Sequence, residues 1–186
     1  MNFYLRSLAC VRQGALLTII ITICGAADLH ARNLITAEAG SPGNNEATPI
    51  RPSVGELEDR AFEAINQERQ ANGLPPLRRA SDLSAVAREH SRDMLERRYF
   101  AHQSPEGEDL RGRFARRGIN HWRYIAENIA YNLGYRDPVA VAVESWMRSP
   151  GHRRNILNKR LAESGIGVVV DDLGRVYFTQ VFATRD

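Results

Sequence analysis

Cysteine is nearly absent: the only two in 186 residues, Cys10 and Cys24, stand among the first 31. Without that segment the chain has no thiol, which excludes disulfide cross-links, thiolate metal sites and thiol nucleophiles. Lysine is scarcer still, Lys159 being the single one, so almost all the positive charge is arginine. A formal charge of +3 with acids interleaved throughout describes a mixed solvated surface and implies no nucleic-acid partner. Long apolar runs are missing too. The one at 14–27, GALLTIIITICGAA, falls short of the about 20 residues a helix needs to cross a bilayer. Neither H-E-x-x-H nor G-x-S-x-G occurs, so two common hydrolase signatures are excluded.

What is present begins with that short apolar run. Arg6 and Arg12 precede or enter it and ADLHARN follows, the basic, apolar and small-residue layout of a secretory signal peptide over residues 1–31. Cleavage is expected after Ala31 or earlier, near Ala26. Left uncut, the segment would be the one expected membrane link. Ile23 is too bulky for lipid attachment at Cys24. The expected location is therefore secreted or periplasmic. Residues 32–55 are rich in Gly, Pro, Asn, Ser and Thr without a period, and read as a flexible tether. A domain over 56–186, about 130 residues, is long enough to fold on a hydrophobic core alone.

Within that domain Leu57, Ala61, Ala64 and Ile65 recur at helical spacing until Gly73, Pro75 and Pro76. A second helix is expected over 81–98, with Leu83, Val86, Ala87, His90 and Met94 on one face; His90 there reads as a hydrogen-bonded core residue. YFAHQSPEGEDL reads as a loop, followed by a short helix through Phe114. The basic run RGRFARRG at 111–118 reads as an exposed helix face, with a phosphate or anionic-lipid site as the alternative. Pro138 opens a helix with Val139, Val143, Trp146 and Met147 inward. Two β-branched and aromatic runs separated by Asp171, Asp172, Leu173 and Gly174 form a hairpin signature. Helices followed by a terminal hairpin give an α+β domain with helices packed on an antiparallel sheet.

Three groups in loops or at helix ends present chemistry: His102, Glu127 and His152. In SPGHRRNIL, Ser149 suits the N-cap and Pro150 the first helical position, so Ser149 reads as structural. His152 then sits in the first turn, where the helix dipole disfavours imidazolium. Two readings stand, a ring serving a ligand and a ring that merely packs. Glu127 lies between apolar neighbours, so its carboxylate needs partners if buried. It is either a site residue or a buried Glu bonded to the main chain.

The stretches AINQERQANGLPPL, LSAVAREHSRDMLERRYFAHQSPEG, AENIAYN, AVESWMRSPGHRRNIL, GIGVV and YFTQVFA, in this order, resemble the CAP superfamily of cysteine-rich secretory proteins, antigen 5 and pathogenesis-related 1 proteins, in its bacterial form. The resemblance spans about 57–183. It implies a three-layer α-β-α sandwich, secretion, and a cleft of two histidines and two acids that in some members holds a divalent metal such as zinc. His102 matches the first histidine and Glu127 the first acid. Ser149 stands where the second acid belongs and Tyr177 where the second histidine belongs. His152 is expected to replace the lost imidazole, with Tyr177 adding a hydroxyl, so that His102 and His152 would be the metal ligands. The function implied is a polar cleft binding a lipid, glycan or peptide. Its rivals are a metal-dependent hydrolase with Glu127 as general base and an envelope scaffold that binds another protein.

Overall fold

Ser53 opens the first helix, three residues before the expected domain start at Glu56. Its hydroxyl accepts from the Glu56 N–H at 3.2 Å, and the Glu56 carboxylate accepts from the Ser53 N–H at 2.6 Å. This reciprocal cap satisfies two otherwise free donors and fixes where the tether ends. The structure, a computed structural model, describes residues 52–185. The signal peptide and residues 32–51 of the tether lie outside the described residues.

The elements are α1 (Val54–Ala71), β1 (Arg78–Arg79), α2 (Ser81–Arg97), α3 (Leu110–Arg116), β2 (Tyr124–Leu133), α4 (Pro138–Arg148), α5 (Pro150–Ile156), β3 (Glu163–Val170) and β4 (Arg175–Thr184). The sheet order is β1-β3-β4-β2. The expected hairpin is β3–β4, closing with Val170 opposite Val176. β2 runs antiparallel to β4, from Tyr124 opposite Thr184 to Leu133 opposite Arg175. The sheet is not wholly antiparallel as expected: β1 lies parallel to β3, Arg78 beside Glu163. Pro75 and Pro76 forbid further helix after α1, and the extended chain that follows pairs with the edge of β3.

Both faces of the sheet are covered, which makes the three layers. On one face, Leu57, Ala61 and Ile65 of α1, Val143 and Trp146 of α4 and Ile156 of α5 pack on Ile166, Val168, Phe178 and Phe182. On the other, Leu83, Val86 and Ala87 of α2 and Phe114 of α3 pack on Val181 and Ala183. The central strand β4 alternates between the two cores, as a side-chain period of two requires. Glu58 of α1 accepts from the Val168 N–H at 3.2 Å, where β1 no longer covers β3, and is held by Arg88 of α2. The two helical layers thus meet around the sheet edge. No described helix is long and apolar enough to cross a membrane.

Two glycines set the distance between α2 and β3. A Cβ at Gly165 would stand 2.1 Å from the Ser84 nitrogen, and one at Gly167 would stand 2.0 Å from the Arg88 nitrogen. The helix backbone therefore rests directly on the strand backbone, and no larger residue fits. Ser91 uses the closeness to donate to the Gly167 carbonyl at 3.0 Å.

Candidate functional site

Glu127 is on a strand, not in a loop as expected. On β2 it projects to the α2 side, directly across from Val181, while its neighbour Asn128 projects to the opposite side across from Gln180. Its carboxylate is 5% exposed and has a partner on each oxygen. Oε2 accepts from Arg113 Nη2 at 2.6 Å, and Oε1 accepts from His102 Nδ1 at 2.9 Å. A ring nitrogen facing a carboxylate at that distance carries the proton, which leaves His102 Nε2 as the free ring atom. The imidazole is 53% exposed. A buried carboxylate therefore orients a solvent-facing histidine.

Arg113 comes from the middle of the basic run at 111–118 and is buried, which corrects the reading of that run as uniformly exposed. The sequence carried a signal for it: Leu110, Arg113 and Phe114 share one face of α3 at i, i+3 and i+4. Besides holding Glu127, it donates from Nη1 to the His102 carbonyl at 3.2 Å. One guanidinium thus positions both members of the pair. Arg116 and Arg117, by contrast, lie at the surface and pair with Glu89.

His90 is a hydrogen-bonded core residue as expected, 1% exposed, with Nε2 donating to the Ala101 carbonyl at 3.0 Å. It also lies 3.8 Å from Glu127 Oε1. Burial pushes its pKa below the usual imidazole value, a shift opposed by Glu127 and reinforced by Arg113. The bond to Ala101 anchors the loop one residue before His102.

The structure brings His152 to this cleft. Its ring centroid is 6.3 Å from that of His102, with the planes at 53°. Nδ1 is buried with no hydrogen-bond partner. Burial first, and the nearby His102 second, hold its pKa below the ordinary value, favouring a neutral ring. Ser149 is the N-cap residue of α5 and Pro150 the first helical residue, but the Ser149 hydroxyl makes no capping bond. Helix position is set instead by two asparagines that single-residue reasoning missed. Asn155 donates to the Glu127 carbonyl at 3.2 Å and to Asn128 Oδ1 at 2.9 Å, and Asn128 donates to the His152 carbonyl at 3.3 Å.

Tyr177 is placed elsewhere. Its ring packs 4.9 Å from Tyr131 and 6.4 Å from Phe100. Among the described residues no hydrogen bond joins its hydroxyl to either imidazole. Its burial raises its pKa and keeps the hydroxyl neutral. Nor do the described residues group three His, Cys, Asp or Glu side chains closely enough to hold a metal ion. The two imidazoles supply two ligands, one short of an open zinc site, and Arg113 already neutralises the carboxylate that would be the third. These side chains, as placed, do not fit a three-ligand zinc centre. Outside the pair, a cavity of about 590 Å³ is lined by His102, Gln103, Asp109, Arg111, Ile125 and Glu127 among others.

An α-β-α sandwich that presents a carboxylate-held histidine and a second imidazole at the β2 edge of its sheet defines the class of domain. The family is shown by sequence as well: the model of the cysteine-rich secretory protein family, CAP, matches residues 62–182, and the chain belongs to that family. It is of the bacterial type. The Bacillus subtilis (strain 168) protein YkwD is 39% identical over 133 residues, which are 72% of this chain and 50% of YkwD. The B. subtilis membrane protein YlbC is 37% identical over 128 residues, 69% of this chain and 34% of YlbC. The chain thus spans half or less of those relatives. An extracellular protein containing an SCP domain from Bacillus anthracis superposes with a TM-score of 0.61 at 30% identity, over 74% of this chain and 45% of that one. An outer surface protein of Borrelia burgdorferi gives 0.66 at 19% identity, over 73% and 97%, a likeness of fold alone.

Proposed function

We propose that this chain is an exported CAP-domain protein of the bacterial envelope or exterior whose cleft at His102 binds a polar ligand, a glycan or peptide segment before a lipid headgroup. Export is supported by the N-terminal layout of basic, apolar and small residues and by the extracellular B. anthracis relative. The observation that carries the binding reading is the His102–Glu127 bond, which leaves an exposed ring nitrogen free to accept a ligand hydroxyl or amide. Five of the eight residues lining the adjoining cavity are polar or charged, which suits a hydrated chain better than an acyl tail.

A second reading is hydrolysis with His102, not Glu127, as the base. Both Glu127 oxygens already accept hydrogen bonds, and a carboxylate behind an imidazole is the arrangement that holds a histidine in its basic tautomer.

Calorimetric titration of the full chain with soluble peptidoglycan fragments tests both readings. Loss of one neutral hydrogen bond, about 1 kcal/mol, corresponds to roughly fivefold weaker binding in His102→Ala. Equal affinity in wild type, His102→Ala and Glu127→Gln would reject the cleft as the binding site. Fragment turnover by wild type and none by His102→Ala would establish the second reading.

A further inference from the structure

A second groove lies away from the His102 cleft. It has a volume of about 720 Å³ and is lined by Arg148, Arg153, Arg154, Lys159 and Arg160, with Leu157 among the few apolar side chains. No acidic residue occurs between Glu144 and Glu163 in the sequence, although five cations do. Arg148 pairs with Glu144 one turn back along α4. Arg153 reaches only Asn72 Oδ1, at 3.3 Å, and the Arg160 guanidinium lies 5.2 Å over the Tyr124 ring. Among the described residues, Arg153, Arg154, Lys159 and Arg160 have no carboxylate within 4.0 Å.

Several arginines elsewhere on the described surface are paired. Arg116 holds Glu89 and Glu108, Arg117 holds Glu89, and Arg185 holds Asp82 and Glu163. The basic run at 111–118 is thus largely neutralised by neighbouring acids, and the run at 148–160 is not. The groove is also built on fixed backbone. Arg69, 1% exposed, donates to the carbonyls of Ile156, Asn158 and Leu161 at 2.7, 3.1 and 3.3 Å. The backbone of such a turn is set before any ligand arrives, so binding has only side chains to order.

We propose that this groove is a binding site for a phosphate-bearing polyanion, a chain of phosphates bound independently of the His102 cleft. Guanidinium groups match phosphate oxygens two at a time, and several around one concavity suit successive charges along a chain better than one isolated ion. A bilayer surface fits less well. The groove is concave, and none of its lining residues is an exposed large apolar side chain able to enter a membrane.

Titration of the full chain with inorganic tripolyphosphate tests the site. Binding is expected, and raising NaCl from about 50 to about 200 mM should lower the affinity roughly 20-fold if three phosphate charges are neutralised. The variant Arg153→Gln/Arg154→Gln/Arg160→Gln, altered only at exposed positions, should bind at least about tenfold more weakly. Arg97→Gln/Arg116→Gln/Arg117→Gln, which removes the same formal charge from paired arginines, should bind as wild type does. Equal loss in the two variants would assign binding to net charge and overturn the site. So would no measurable binding, or binding to phosphatidylglycerol vesicles without binding to tripolyphosphate.

Discussion

Arg113 Nη2 stands 2.6 Å from Glu127 Oε2, and both side chains are almost wholly withdrawn from water, at 2% and 5% exposure. A pair so enclosed contributes little net stability over an apolar packing, but breaking it strands a buried charge. Arg113→Met is therefore expected to cost about 3 to 5 kcal/mol in urea unfolding. The double variant Arg113→Met/Glu127→Gln should recover part of that loss, because no bare carboxylate remains. A double variant no more stable than the single one would show that packing, and not charge, dominates there.

The glycines under α2 give a second expectation. Gly165→Ala or Gly167→Ala places a methyl group about 2 Å from helix backbone that cannot move aside alone. Lifting α2 would open the core around Leu83, Val86 and Ala87, so each change should cost roughly 3 kcal/mol or more, or abolish folding. Thermal melting of each variant measures this. Gly151→Ala, where an added Cβ meets nothing within 4 Å, serves as the control and should melt near wild type.

Much of this was legible beforehand. The period of α1, α2 and α4 and the hairpin turn are strong local signals, and the order of motifs carried the family. Strand β2 was obscured because Asn128 and Asn132 sit on its buried face, where an apolar pattern would ordinarily mark a strand. The parallel pairing of β1 was invisible because it is a two-residue contact made by a partner far along the chain. His102, Glu127 and His152 could be nominated singly. Their convergence depends on how the loop bearing His102 and the helix bearing His152 pack beside Glu127, and Tyr177, though on the same sheet face, pairs with Tyr131 four residues further along β2, a register that tertiary packing decides.

pH supplies a third test. His90 and His152 both have folded-state pKa values below that of the free imidazole. The unfolded chain therefore binds protons first as pH falls below about 6.5, and it gains stability relative to the folded chain. Melting temperature should hold above that pH and decline between it and the depressed folded values, before most carboxylates titrate. Glu127, Arg113 and Asp93 face His90, with Tyr99 beside it, while His102 faces His152. His152→Asn should flatten the decline. An unchanged slope would remove that ring as a contributor.

Arg69 supports a fourth. Its guanidinium also donates to the Pro75 carbonyl at 3.0 Å, so it joins the end of α1, the entry to β1 and the turn before β3. Arg69→Met leaves buried carbonyls without donors and should cost about 2 to 4 kcal/mol. Hydrogen exchange should quicken first at 156–161. Uniform acceleration across the domain would contradict this localised role.

The asparagine stitching between α5 and β2 has one more implication. The helix that carries His152 cannot slide along the strand that carries Glu127 without giving up the bonds made by Asn128 and Asn155. On the helix side, therefore, the footing of the His152 ring is clamped, and its 6.3 Å spacing from the His102 ring is pinned at one end.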